Sequence, residues 1–200
     1  MSEFSCRDCG ASFTLPQRVL EQYPGWVPRQ CNKCRTAARA MPKQTPIARN
    51  ATDNDGNGPA TGVFTDGSSV PNPGPGGWGV VYVVNGEIVA EKHGHDPDTT
   101  NNRMELTALL EALDLVPEGT AVTVYSDSHL AVRTITEWAE GWKKRGWKRR
   151  SGPVENLDLV QRVYEGYRKR PELQLEWIKA HVGYRWNEYA DELASRWRRA

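Results

Sequence analysis

From residue 61 onward the apolar positions of the chain fall into two rhythms. Short runs rich in Val, Ile, Tyr or Trp near 62–66, 78–84, 87–93, 121–126 and 173–179 predict strands, because branched and aromatic side chains suit a pleated, half-buried surface. In "RMELTALLEALDL" the residues Leu106, Leu109, Leu110 and Leu113 follow the i, i+3, i+4, i+7 spacing of one helical face. The same period returns near 129–139, 156–169 and 187–199. Three strands followed by alternating helices and strands predict an α/β domain, a mixed five-stranded sheet covered by helices. No internal repeat of solenoid type is present.

Ahead of that domain both rhythms stop. Residues 40–60, "AMPKQTPIARNATDNDGNGPA", are dominated by Pro, Asn, Asp and Gly and read as a flexible linker. Its ~20 residues would span an r.m.s. distance of roughly 25 Å. The expected organisation is a small module at 1–39, the linker at 40–60 and the main domain at 61–200. A length of 200 residues suits one ordinary domain plus something small.

All four cysteines fall in the small module, as the knuckles "CRDC" (Cys6, Cys9) and "CNKC" (Cys31, Cys34). Two thiolates from each tight turn suit one tetrahedral Zn²⁺, and a segment this short needs metal to offset its small core. Two disulfides are the alternative, disfavoured in a chain without an export signal. Four thiolates leave no open position, so the zinc is expected to be structural. Residues 6–39 resemble small bacterial zinc-ribbon modules, with CxxCG, a Phe, a helical-looking middle, then Pro and CxxCR.

Charge changes the picture only when it is divided. The net charge of +1 is the sum of +5 over residues 1–50 (eight Lys or Arg against three acids) and −4 over residues 51–200 (eighteen against twenty-two). Within the acidic part, "KKRGWKRR" at 143–150 places six cations in eight positions. No apolar run approaches the ~18 residues of a membrane span, and the N-terminus lacks the apolar stretch of a signal peptide. A cytoplasmic protein without a membrane partner is the expectation.

Two strands end alike, "VFTD" at 63–66 and "VYSD" at 124–127. In α/β sheets, functional groups gather outside the carboxyl ends of parallel strands, so Asp66 and Asp127 are expected to face one another there. Glu105 borders the Leu106 face of its helix, and Asp191 opens the last helical stretch in "NEYADELA". Oxygen-only ligands of this kind suit Mg²⁺ or Mn²⁺, and two such ions form a clamp for in-line phosphoryl displacement. Taken singly, an Asp at a strand end is more often a turn or cap residue, and it is the combination that points to a site.

The order of the motifs adds to this. Residues 61–199, about 70% of the chain, closely resemble type 1 ribonuclease H through "FTDGS…NPGPGGWG", "TTNNRMEL", "YSDS", "KAHVG" and "NEYADELA". The resemblance implies a ribonuclease H-like fold and metal-dependent hydrolysis of the RNA strand of RNA/DNA hybrids, leaving 5′-phosphate and 3′-hydroxyl ends. It implies that Asp66 bridges two ions, that Glu105 and Asp127 complete one site and that Asp191 serves the other. His181 in "KAHVG" takes a role in proton transfer or product release, beside a "YRW" loop (184–186) bulkier than is usual for the family. The Gly-Pro stretch after Asp66 is expected to be a turn that lets the backbone approach a nucleic-acid groove.

By the same resemblance Asn72, Asn101 and Asn102 contact the RNA strand in the minor groove and Thr100 a DNA phosphate. A turn role for Asn72, and a helix N-cap role for Asn101 or Asn102, stand beside that reading. "EWAEGWKKRGWKRR" resembles the basic protrusion that holds the DNA strand, with Trp138, Trp142 and Trp147 among Lys143, Lys144, Arg145 and Lys148. At least one of the three tryptophans is expected to be purely core. The partners expected are an RNA/DNA hybrid and a second nucleic-acid or protein contact through the ribbon, on a monomer. The rival readings are a catalytically silent hybrid-binding protein and another nuclease of the superfamily, such as a junction resolvase or transposase.

Overall fold

The structure is a computed structural model that describes residues 2–6, 11–15, 31 and 58–199. The chain divides into two compact units, Met1–Pro46 and Ile47–Ala200. In the first, β1 (Ser2–Ser5) pairs antiparallel with β2 (Ser12–Leu15), and the facing rings of Phe4 and Phe13 lie 5.9 Å apart. Cys6 and Cys31 are both buried, and the Cys31 N–H donates to Cys6 Sγ at 3.3 Å. Cys9, Cys34 and the expected helical middle lie outside the described residues, as does the linker up to residue 57.

The second unit is built on a five-stranded sheet. β3 (Gly62–Ser69), β4 (Gly74–Val84) and β5 (Glu87–Thr99) form an antiparallel meander, and β6 (Val122–Ser126) and β9 (Leu173–Trp177) extend it in parallel. The spatial order is β5-β4-β3-β6-β9. Between them run α1 (Asn101–Leu115), α2 (His129–Arg133), a π-helical turn (Thr134–Trp138), α3 (Ala139–Lys144) and α4 (Leu157–Lys169). A short hairpin, β7 (Lys148–Arg149) with β8 (Gly152–Pro153), precedes α4, and α5 (Arg185–Ser195) runs into a final 3-10 turn, Arg196–Arg199. Each expected strand and helix of this unit is present. No helix among the described residues is long and apolar enough to cross a membrane.

Strand alternation sorts side chains onto two apolar faces. Val63, Val80, Tyr82 and Val124 join α1 and α4 in one cluster; Phe64, Val81, Val83 and Tyr125 join Trp186, Ala190 and Leu193 of α5 in the other. Phe64 stacks on Tyr125 from the neighbouring parallel strand, their rings 5.1 Å apart. Helix α1 buries Met104, Leu106, Ala108, Leu109, Leu110, Ala112 and Leu113, more than a single stripe, because it meets the sheet and also packs on α4. Arg103 ties the two helices with a two-pronged pair to Asp158, at 3.1 and 2.9 Å.

The glycine-rich stretch differs from its expected form. β3 continues past Asp66 to Ser69, and Gly74–Gly79 already belong to β4, so the turn is confined to residues 70–73. The glycines serve packing instead. A Cβ on Gly79 would lie 2.5 Å from both the Ala190 carbonyl oxygen and Leu193 Cβ, so α5 rests directly on the backbone of β4. Overpacking at such a contact costs about 1–3 kcal/mol. Gly79→Ala is therefore expected to lower the thermal midpoint by several degrees, measured by near-UV circular dichroism of the full chain.

Candidate active site

Strand register brings the first two carboxylates together. In the parallel pair β3/β6, Thr65 stands opposite Ser126, and the next residue on each strand is Asp66 and Asp127. The buried Thr65 Oγ1 donates to the Tyr125 carbonyl at 3.1 Å, fixing the two strands one residue before the acids. The Asp127 carbonyl accepts from the His129 N–H and from Trp177 Nε1–H, both at 3.0 Å. Ser128 caps α2 through the Ala131 N–H, so the chain turns sharply away and leaves the Asp127 side chain at the sheet edge.

Glu105 arrives from the opposite face of the sheet. Its helix crosses β3 at Gly67, where an added Cβ would overlap the Met104 carbonyl carbon and the Glu105 nitrogen. Only glycine permits that approach. As a result Asp66, Glu105 and Asp127 each offer an oxygen within 4.8 Å of the others. Asp191, half-buried on α5, lies outside that group but is near enough to act electrostatically on Asp66 and Asp127. The contact of Ala190 on Gly79 fixes where it stands, since Gly79 is the register partner of Asp66.

The charge balance of this cluster is unfavourable on its own. Burial first, then Asp127 and Asp191, push the Asp66 carboxyl up from 3.8 to about 7. Burial, then Asp66 and Asp127, hold Glu105 well above the usual range. Asp127 is raised mainly by burial, although an Asn187 hydrogen bond and His181 pull it back. Among the described residues no Lys or Arg forms an ion pair with any of the four acids. Glu105 Oε2 is buried without a hydrogen-bond partner. Crowded oxygen donors, an orphaned buried oxygen and no neutralising side chain are the conditions that a hard divalent cation satisfies.

Asn187 was not singled out by the sequence. It is 2% exposed, one helical turn before Asp191, and its Nδ2 donates to Asp127 Oδ2 at 3.2 Å. Its trace in the sequence is its place at the head of the "NEYADELA" motif. His181 is exposed, in a turn after β9, with φ +52.

The asparagines form a network around Ser69. Asn101 Oδ1 accepts from the Ser69 N–H (2.6 Å) and Asn72 Oδ1 from the Asn101 N–H (3.2 Å), while the single Ser69 hydroxyl proton is shared between Asn101 Oδ1 (3.1 Å) and Asn72 Oδ1 (3.2 Å). Both oxygens face the protein, which leaves the amide nitrogens as outward donors. Asn102 is exposed in the first turn of α1. Thr100, rather than Asn101 or Asn102, is the N-cap of α1, its Oγ1 accepting from the Arg103 N–H at 3.3 Å.

In the basic protrusion, Trp142 and Trp147 pack against the α1-side core, and Trp147 meets Tyr164 edge-on. Trp138 lies 6.0 Å from Trp142 with the Arg133 guanidinium over it. Lys143 pairs with Glu165 and Lys144 with Glu140, in exposed pairs of the kind worth about 0.2–1 kcal/mol. Arg145 and Lys148 are exposed and, among the described residues, form no ion pair. A cleft of about 90 Å³ is lined by Asn102, Ser128, Trp138, Trp142, Arg149 and Asn156.

If the approach at Gly67 sets the position of Glu105, Gly67→Ala displaces the ligand without removing it. Calorimetric titration is expected to show Mn²⁺ affinity falling about tenfold or more, with the far-UV spectrum retained. Unchanged affinity would separate Gly67 from the site.

Comparison with known proteins accords with this geometry. The family described as RNase H matches residues 59–198. Among curated proteins, the ribonuclease H of Gluconobacter oxydans is 46% identical over 144 residues, 72% of this chain and 95% of its own length. That of Agrobacterium fabrum is 47% identical over 133 residues, 66% of this chain and 90% of its own. The chain spans 59% of the length of a longer relative from Methylorubrum extorquens, also a ribonuclease H and 46% identical over 138 residues. Of solved structures, LC9-RNase H1, a type 1 RNase H with the type 2 active-site motif, matches with TM-score 0.56 and 33% identity, over 69% of this chain and 72% of its own. LC11-RNase H1, solved in complex with an RNA/DNA hybrid, matches with TM-score 0.51 and 28% identity over 67% and 93%. A family match spanning residues 59–198, with Asp66, Glu105 and Asp127 crowded as expected, leads to one conclusion: the chain belongs to the RNase H family.

Proposed function

We propose that the protein is an endoribonuclease that hydrolyses the RNA strand of RNA/DNA hybrids, with Asp66, Glu105, Asp127 and Asp191 holding two divalent ions of the Mg²⁺ or Mn²⁺ type. The observation that carries this reading is the convergence of three carboxylates within 4.8 Å, where the parallel pairing of β3 with β6 ends and α1 delivers Glu105. Asp66 shares the cluster with Glu105 and Asp127 and also feels Asp191 from α5, so it is the acid suited to serve both ions. Bound there, such ions activate a water and offset charge on the leaving 3′ oxygen. Asn187 orients Asp127 through Oδ2. The role assigned to His181, exposed and acting electrostatically on Asp127, is to move a proton or to help product leave.

Strand choice falls to neighbouring groups. The outward amide nitrogens of Asn72 and Asn101, with exposed Asn102, are donors for 2′-hydroxyl and base-edge acceptors in a minor groove. Thr100 lies at the N-terminus of α1, where a phosphate of the DNA strand is favoured. Trp138 and the cations Lys143, Lys144, Arg145 and Lys148 offer ring faces and salt-sensitive attraction to the DNA backbone. Trp142 and Trp147 support that protrusion mainly through the core.

For the N-terminal unit we propose one structural Zn²⁺ on Cys6, Cys9, Cys31 and Cys34. The buried Cys6 sulfur that accepts a backbone N–H from the second knuckle supports this, since such bonds favour a thiolate. The +5 charge of residues 1–50 favours an accessory nucleic-acid clamp, which raises avidity on long hybrids without new chemistry. A monomer working in the cytoplasm, where thiols stay reduced, completes the reading.

The test offers RNA/DNA hybrid, RNA duplex and DNA duplex to the full chain, to residues 58–200 and to Asp66→Asn, with and without Mg²⁺, across a salt series. The expected result is Mg²⁺-dependent cleavage of the hybrid's RNA strand alone, abolished in Asp66→Asn while hybrid binding persists. Residues 58–200 are expected to keep kcat but to bind long hybrids more weakly, with a shallower salt slope. Cleavage without metal, or near-normal turnover in Asp66→Asn, would defeat the assignment. Equal binding with and without residues 1–57 would exclude the clamp.

A further inference from the structure

The segment by which the chain joins the catalytic unit makes a contact that the chemistry above leaves unused. Gly58 and Pro59 are buried. The Ala60 carbonyl accepts from the Gly86 N–H at 2.7 Å, and Thr61 Oγ1 accepts from the Asn85 N–H at 2.9 Å, so the segment is pinned to the β4–β5 turn. Gly58 has φ +82, a conformation that favours glycine, and an added Cβ would meet the Tyr184 ring at 2.9 Å from both Cγ and Cδ1. The ring of Tyr184 therefore lies directly on the Gly58 backbone.

Tyr184 ends the loop that carries His181. At its other end the loop leaves the buried Ile178, whose N–H donates to the Ser126 carbonyl at 3.0 Å, one residue before Asp127. Past Tyr184, Trp186 is buried in the α5-side core with the Arg185 guanidinium 4.3 Å above it. Between these anchors only Lys179–Gly183 lacks a buried hold on the core, with His181 at φ +52 and Gly183 at φ +85. The bulky "YRW" stretch thus fastens the C-terminal base of the loop rather than crowding its tip.

We propose that Tyr184, clasped against Gly58, is a positioning residue for His181. The clasp confines movement to residues 179–183 and so keeps His181 close to Asp127. A loop base cut loose spreads the histidine over positions in which it does no work, which lowers turnover without touching the groups proposed to bind hybrid. This rests on the role given to His181 above.

The test is a double-mutant cycle read together with amide exchange. Tyr184→Ala is expected to lower kcat about tenfold, toward the level of His181→Ala, with KM for hybrid within about twofold. In the double variant the losses are expected not to add, because Tyr184 acts through His181. Tyr184→Phe keeps the ring on Gly58 and restores kcat, while Gly58→Val reproduces the Tyr184→Ala defect. Amides of residues 179–183 are expected to exchange faster in Tyr184→Ala and to be unchanged in His181→Ala. Additive losses in kcat, or unchanged exchange across the loop in Tyr184→Ala, would overturn the proposal. Wild-type kcat in His181→Ala together with faster exchange in Tyr184→Ala would instead retain the clasp and remove the role assigned to His181.

Discussion

Everything at the site depends on forcing carboxylates together against their own repulsion and out of water. At an effective dielectric constant near 20, two like charges about 5 Å apart cost about 3 kcal/mol, and desolvation adds to that. Asp66 is 8% exposed and carries both costs, so its carboxyl holds a proton up to about 7. The rest of the fold supplies what opposes this: two apolar faces on one sheet, each clamped by a helix that delivers an acid to the same edge.

The helices reach that edge because glycines replace side chains where they cross. Gly67 lets α1 lie against β3 beside Asp66, and Gly79, the register partner of Asp66, lets α5 lie against β4. The acids are thus placed by backbone contacts from opposite faces. A backbone contact has few ways to relax, which suits a ligand set that must hold its geometry while empty of countercharge.

Much of this was legible in the residues. Runs rich in branched and aromatic residues locate the strands of the second unit and 3.6-residue spacing its helices, and the matching "VFTD" and "VYSD" point to the adjacency that parallel register delivers. The glycine run reads as a turn in the sequence because glycine signals both loops and close backbone approach, and only the partner helix distinguishes them. The sequence offers "YRW" and "NEYADELA" as stretches of interest but gives Tyr184 and Asn187 no partner, because their significance lies in contacts to Gly58 and Asp127, 126 and 60 positions away in the chain. Thr100 shows local chemistry prevailing, a hydroxyl cap taking the position that the following asparagines compete for.

The central claim is that the acids are held apart from their preferred state until divalent cations arrive, and proton linkage tests it most directly. Because the folded-state pKa of Asp66 is raised, the native chain binds a proton more tightly than the unfolded chain between about pH 4 and pH 7. Stability from this group is therefore lost as pH rises through that window, by at most about 4 kcal/mol. The measurement is the unfolding midpoint of the wild-type chain relative to Asp66→Asn from pH 4 to pH 8, in EDTA and in Mg²⁺. In EDTA the wild type is expected to fall progressively below the variant as pH rises. In Mg²⁺, which binds the deprotonated native site, the gap is expected to close or reverse above pH 7. A gap that is independent of pH, or one that Mg²⁺ leaves unchanged, would contradict the account.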